Sequence, residues 1–263
     1  MPENGVRMAF ELFDTHCHLN IARHFPDPDA EIARARAAGV TRMALVGIDP
    51  PTNESAVEIA ARHEGVYAIV GLHPTEAAHF TPQVLGQIEH LLSHPKSVAL
   101  GEIGLDYHWD DATPEQQKAA LHAQLDLAET LNKPVVFHCR KAYDDLLDIL
   151  EARPPRPYLF HCFSGDAGHA DRVKSLDGTI GIDGPITYKK SDDLRAIVHE
   201  WPRDRLVLET DSPYLTPEPY RGKPNSPAYV PLINAELARV WGISPDEAAA
   251  KTTANAMRFF GLS

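Results

Sequence analysis

Short apolar runs recur along the chain, and each is followed by a stretch with apolar residues at helical spacing. The runs begin near Phe10, Arg42, Val66, Val98, Pro134, Tyr158, Thr179 and Leu206. Their cores include Met43-Ala44-Leu45-Val46, Tyr67-Ala68-Ile69-Val70, Val135-Val136-Phe137 and Leu206-Val207-Leu208. Near-continuous apolar strands are what burial on both faces of a parallel sheet requires. The segments between them carry helix signals. Asp29 to Ala38 is rich in alanine and stops at Gly39. Thr113-Pro114-Glu115-Gln116 supplies an N-cap and a proline at the first helical position. Ala120, Leu121, Leu125, Leu127, Ala128 and Leu131 then form an apolar stripe. Ser191 or Asp192 opens a helix through Val198, and Ser244-Pro245-Asp246-Glu247 opens the last one.

The eight strand starts lie between residues 10 and 206, so the seven intervals average 28 residues. A strand–helix unit of that size, repeated eight times, predicts a (β/α)8 barrel of the TIM type, one domain over residues 1–263. An open doubly wound sheet is the competing architecture, but no glycine-rich dinucleotide fingerprint follows the first strand. The stretch from Ser212 to Pro231 holds six prolines and reads as a long loop after the eighth strand. No Gly/Ser linker divides the chain.

Composition narrows the class. With 43% hydrophobic and 24% charged residues, the 263-residue chain is of ordinary globular make-up, not disordered, collagen-like or disulfide-built. No stretch approaches the roughly 20 apolar residues of a membrane span. The first residues show no basic region leading into an apolar run, and three cysteines are too few for a disulfide framework; a reducing, cytoplasmic setting is expected. The net charge of −12 argues against non-specific wrapping of nucleic acid, yet leaves room for a nucleic-acid enzyme with local cations.

The 14 histidines change the picture, because several fall where strands end. Strand 1 runs into Asp14-Thr15-His16-Cys17-His18, strand 3 into Gly71-Leu72-His73-Pro74, and strand 4 into Gly101-Glu102-Ile103-Gly104-Leu105-Asp106. Strand 5 runs into His138-Cys139-Arg140, strand 6 into His161-Cys162-Phe163-Ser164-Gly165, and strand 8 into Glu209-Thr210-Asp211-Ser212-Pro213. In a barrel these ends line the mouth that carries active sites. Residues i and i+2 of a strand point the same way, so His16 and His18 can reach one ion together. The same alternation turns Cys17, Cys139 and Cys162 outward, as small hydrophobes against the helix layer. A lone strand histidine is ordinary core; imidazoles and carboxylates gathered at five strand ends suit Zn²⁺, Mn²⁺ or Mg²⁺, and ionised groups there need a metal or a partner.

In this order the motifs, with Tyr214-Leu215 and Arg221-Gly222-Lys223-Pro224-Asn225, resemble the TatD family of metal-dependent deoxyribonucleases within the amidohydrolase superfamily, over the whole chain. The resemblance implies a (β/α)8 fold, two divalent ions and phosphodiester hydrolysis. It implies one ion on His16, His18, Glu102 and Asp211 and a second on Glu102, His138 and His161, with Glu102 as the bridge. Many relatives in the superfamily bridge with a carboxylated lysine from the fourth strand; a glutamate at that place favours the nuclease branch.

Two ions about 3.5–4 Å apart can clamp an in-line phosphoryl displacement, with Asp211 accepting the proton of the attacking water. His73 either hydrogen-bonds the scissile phosphate or leaving group, or is a third-strand core histidine capped by Pro74. Arg140, Lys189, Arg221 and Lys223 are the expected phosphate contacts, whereas Lys141 and Lys190 read as solvated surface. Tyr107, Trp109, Phe163, Tyr188 and Tyr214 either stack on bases or pack the loops. A narrow mouth without an extended basic face suggests exonuclease action on single-stranded DNA by a monomer, without an obligate protein partner or membrane and with DNA repair or fragment degradation as the family's setting. Two other readings compete: a metal hydrolase acting on a small phosphoester or an aminoacyl-tRNA ester in the same barrel, and a non-catalytic metal- or partner-binding barrel.

Overall fold

Five helices open in the same way, with a polar cap followed at once by proline. Asp27, Asp49, Thr81, Thr113 and Ser244 each accept a backbone N–H from the first helical turn. The proline next to each cap supplies the helical φ and lacks only an N–H that would have had no partner. In two of the five, Thr52 and Gln116 bond back to the cap and close a capping box. These signals set the phase of a computed structural model that describes residues 11–263. The predicted strand start at Phe10 lies outside those residues.

The elements alternate as the spacing predicts. They run β1 (Leu12–Cys17), α1 (Pro28–Ala37), β2 (Val40–Val46), α2 (Pro50–Arg62), β3 (Val66–Val70), α3 (Pro82–Leu92), β4 (Ser97–Asp106) and α4 (Pro114–Leu131). They continue through β5 (Val135–Arg140), α5 (Tyr143–Glu151), β6 (Tyr158–Phe160), α6 (Ala167–Ser175), β7 (Thr179–Ile182), α7 (Asp192–Glu200), β8 (Leu206–Leu208), α8 (Val230–Trp241) and α9 (Pro245–Phe259). The strands pair in parallel in sequence order, β1 to β8. The proline-rich segment is a loop as expected, except that its last proline, Pro231, already sits in the first turn of α8, a position proline favours.

Alternation along the strands sorts the core into two layers. Met43, Leu45, Val66, Ala68, Val135, Phe137, Tyr158, Phe160, Leu206 and Leu208 belong to one cluster with the helices. The intervening Phe13, Ala44, Val46, Ile69, Val136, Leu159 and Val207 form a second cluster, against which Ala256 and Phe260 of the α9 segment pack. That second cluster is the side-chain plug of a closed barrel. The last join, between β1 and β8, is made differently from the other seven. Asp211 N–H donates to His16 O at 2.9 Å and His18 N–H to Ser212 O at 2.9 Å. Thr15 Oγ1 donates to Leu208 O at 3.0 Å, and Thr210 donates to the Asp14 carboxylate through N–H and Oγ1–H at 2.9 and 2.6 Å. The polar seam therefore lies beside the functional end of the barrel.

Candidate metal centre

Glu102, 3% exposed on β4, is the hub at the C-terminal end of the barrel. Its Oε2 lies 3.4 Å from His16 Nε2 and 4.0 Å from His18 Nε2. Its Oε1 lies 3.0 Å from His138 Nδ1, 2.8 Å from His161 Nε2 and 3.8 Å from His73 Nε2. Asp211 Oδ1 completes the Oε2 side, 3.3 Å from His18 Nε2 and 3.9 Å from His16 Nε2. All six side chains singled out as ligands therefore converge, and His73 joins them. His16 and His18 both reach inward because the β1–β2 register slips between Asp14 and Cys17, which leaves Cys17 in the helix-facing core.

These residues fit a divalent ion. Donors bound to one ion at about 2.0–2.2 Å stand roughly 3–4 Å apart, which matches the four imidazole–carboxylate separations of 3.3–4.0 Å on the Oε2 side, where His16, His18 and Glu102 bring their ligand atoms within 4.8 Å of one another. Among the described residues, both ring nitrogens of the fully buried His16 lack a hydrogen-bond partner, a state that costs about 1–3 kcal/mol unless something else satisfies the atom. Burial, reinforced by positive charge at His161, pushes the His16 pKa down and keeps the ring neutral, as a ligand must be. Burial opposes a charge on Glu102, but His161 and the hydrogen bond from His138 help to outweigh it and hold the carboxyl well below its usual range. Burial likewise opposes the Asp211 charge, and the hydrogen bond from His18 with the charge of His161 wins, so Asp211 is lowered too. Two carboxylates and neutral imidazole suit Zn²⁺-, Mn²⁺- or Mg²⁺-type ions.

A second layer orients the ring nitrogens. His18 Nδ1 donates to Val46 O at 2.9 Å, which leaves Nε2 free to face Asp211. His138 Nε2 donates to Asp106 Oδ2 at 2.8 Å, which turns Nδ1 to Glu102. His73 Nδ1 accepts from Thr75 N–H at 3.2 Å, so Nε2 carries the proton and faces the site. Burial and the neighbouring His138 push His73 down to about 3, and the ring is a neutral donor. Glu209, fully buried, accepts from Cys162 N–H and Thr15 Oγ1–H and lies 3.5 Å from His161 Nδ1. Asp14 accepts from His16 N–H at 3.2 Å as well as from Thr210, and burial pushes its pKa up to about 8.

Other expectations need correction. Cys17 and Cys139 sit in the helix-facing core, though Cys139 also borders the central cavity, whereas Cys162 lies outside that core, half-buried on the cavity wall. The reason is that β6 ends at Phe160, so strand alternation no longer governs Cys162, whose φ is 45°. Phe163 is core, 3% exposed and packed on Tyr143 and Trp201, and is not a base platform. A cavity of about 740 Å³ covers the cluster, and Arg140 lies on its wall. Lys189, Arg221 and Lys223 do not line that wall. Arg221 covers the Tyr188 ring at 4.2 Å and Lys223 the Tyr220 ring at 5.7 Å. Tyr107 donates its hydroxyl to Asp145 at 2.7 Å and lines a shallower depression beside the cavity, which Arg140 also borders. Asp14, Asp106 and Glu209 went unassigned by the sequence reading. The signal for Glu209 was available: it follows Val207 of the barrel interior at i+2, and Gly181 opposite has no room for a Cβ beside its carboxylate.

Known proteins resemble this chain along nearly all of its length. Residues 13–261 match the family model described as TatD related DNase. A metal-dependent hydrolase of Bacillus subtilis, YabD, is 39% identical over 254 residues, covering 96% of this chain and 100% of its own. The 3'-5' ssDNA/RNA exonuclease TatD of Klebsiella pneumoniae is 36% identical over 263 residues, covering 95% of this chain and 98% of its own. The crystal structure of YJJV, a TatD homolog from Escherichia coli K12, superposes with a TM-score of 0.90 at 31% identity, over 96% of this chain and 98% of that one. An eight-stranded barrel, a buried His/Glu/Asp cluster at its mouth and matches along nearly all of its length place this chain in the TatD family of metal-dependent hydrolases, which act on ester bonds.

Proposed function

We propose that the chain is a deoxyribonuclease that works with two divalent ions, Mg²⁺, Mn²⁺ or Zn²⁺, and removes nucleotides from an end of single-stranded DNA. One observation carries this reading: the two oxygens of a single buried carboxylate, Glu102, face two separate imidazole sets. His16, His18, Glu102 and Asp211 would hold one ion, and Glu102, His138 and His161 the other. When bound, such a pair lowers the pKa of a water and neutralises charge on the phosphoryl group. Asp211, held ionised, takes the proton of the attacking water. His73 donates from Nε2 to a phosphate oxygen, a role its neutral ring and its place 3.8 Å from Glu102 Oε1 both suit. Arg140 on the cavity wall pairs with a phosphate, while Lys189, Arg221 and Lys223 would meet only a longer strand. The name of the Klebsiella relative supports the substrate class. The concave mouth, with the metal ligands at its floor, supports action at a strand end, and a monomer suffices because every group comes from one chain.

A metal-reconstitution series tests this. Chelated protein is returned to Mg²⁺, Mn²⁺ or Zn²⁺ and assayed on end-labelled linear DNA, the matching single-stranded circle and duplex. The expected result is stepwise, metal-dependent shortening of the linear single strand, with the circle spared. Equal cutting of circle and linear strand would remove the end requirement, and cutting that survives chelation would remove the metals.

A further inference from the structure

We propose that Trp109 and Tyr214 are the two base-stacking platforms of the site, one beyond each side of the Glu102 hub, so that a bound strand is gripped by the bases flanking the scissile phosphate. This rests on the nuclease reading above and specifies how it selects single strands. Three large hydrophobic side chains among the described residues are exposed: Trp109 at 53%, Tyr214 at 46% and Tyr220 at 38%. Tyr220 already stacks on Tyr229, with ring centroids 4.8 Å apart and planes 13° apart, and it is not on the cavity wall. Trp109 and Tyr214 both line the cavity. Their ring neighbours are steeply inclined to them: His108 to Trp109 at 70°, and His18 and His24 to Tyr214 at 69° and 75°. No aromatic ring among the described residues is stacked parallel on either, so each is left to take a nucleobase as its stacking partner.

Each platform is registered to a different part of the hub through the backbone. Trp109 N–H donates to Asp106 Oδ1 at 3.3 Å, and the other oxygen of that carboxylate holds His138. Tyr214 N–H donates to Asp211 O at 2.8 Å, and its ring lies 6.3 Å from that of His18. The Arg140 guanidinium sits 5.7 Å from the Trp109 ring centroid, so a base on the free face would add to a cation–π stack while a phosphate meets the same cation. A duplex end has its bases covered by pairing and stacking, whereas a single strand offers them without that cost.

The test uses the full chain with its metals and an oligonucleotide abasic at one of the two positions flanking the scissile bond. Trp109→Ala and Tyr214→Ala should each lower kcat/KM on the intact strand by about 5- to 150-fold, the equivalent of the ~1–3 kcal/mol of one stacked base. Each loss should vanish on one abasic substrate only, a different one for each variant. Trp109→Phe and Tyr214→Phe should recover most of the rate, and Tyr220→Ala should change nothing. Circular dichroism melts confirm that the variants fold. Losses of equal size on intact and abasic strands, or no losses, would overturn the platforms while leaving the nuclease reading in place. Wild-type protein that hydrolyses methyl p-nitrophenyl phosphate but shortens no oligonucleotide would overturn both.

Discussion

The two sides of Glu102 use the same chemistry and are held differently. On the Oε2 side, imidazole and carboxylate atoms stand 3.3–4.0 Å apart, and among the described residues neither ring nitrogen of His16 has a hydrogen bond. On the Oε1 side, His138 and His161 are 3.0 and 2.8 Å from the carboxylate, at hydrogen-bonding distance. The first has the spacing of donors around a shared ion. The second has the spacing of hydrogen-bonded pairs. Ligand type therefore sets which metals fit, and the state of the protons sets how readily each side fills.

Removing the shared carboxylate should have the largest effect, because it belongs to both sides. Glu102→Ala is expected to lower kcat by at least about 10²–10³-fold, as loss of a charge-stabilising group at a reacting centre does, while the far-UV spectrum stays that of the barrel. Turnover near the wild-type rate would end the two-ion account.

Acid should separate the two sides. Burial disfavours the cations of His138 and His161, but Asp106 and Glu102 outweigh it for His138 and Glu102 and Glu209 for His161; both pKa values are raised, His161 well above the usual range. On the Oε2 side burial opposes the His18 cation but Asp211 outweighs it and raises His18, while burial lowers His16. Falling pH therefore protonates His161 first, and the proton competes with the metal there. Metal content measured after equilibration at graded pH should fall in two steps, the first abolished by His161→Ala. A single step that this variant leaves unchanged would break the distinction.

The smallest of the three effects concerns the second layer. Glu209→Gln keeps the shape and removes the charge behind His161. It should weaken metal binding by about 10- to 100-fold, read by calorimetric titration, with thermal stability less affected. Affinity equal to that of the parent would confine Glu209 to the packing against Gly181.

The barrel and much of the cluster were legible in the sequence because strands alternate. Eight apolar runs gave the sheet order, and the polar residues at their ends gave His16, His18, Glu102, His138 and His161, although His16, His18 and Glu102 reach inward only because β1 and β4 change register beside them. The same rule, carried two residues further, would have reached Glu209 beside Asp211. It did not reach Cys162, because alternation ends with the strand at Phe160. Nor could it place Lys189, Arg221 or Lys223, since a loop's path depends on tertiary contacts such as the Tyr188 ring beneath Arg221. No helix among the described residues is long and apolar enough to cross a membrane, in line with composition.

The seam between β1 and β8 brings residues 14–18 against residues 208–212. Nearly two hundred residues of chain separate His16 from Asp211, and only docking of the final strand unites them. During synthesis, a polypeptide that has not reached β8 thus carries every expected ligand but Asp211, on a barrel that has not closed. Closure completes the site, and a fragment that ends before β8 is expected to show no turnover.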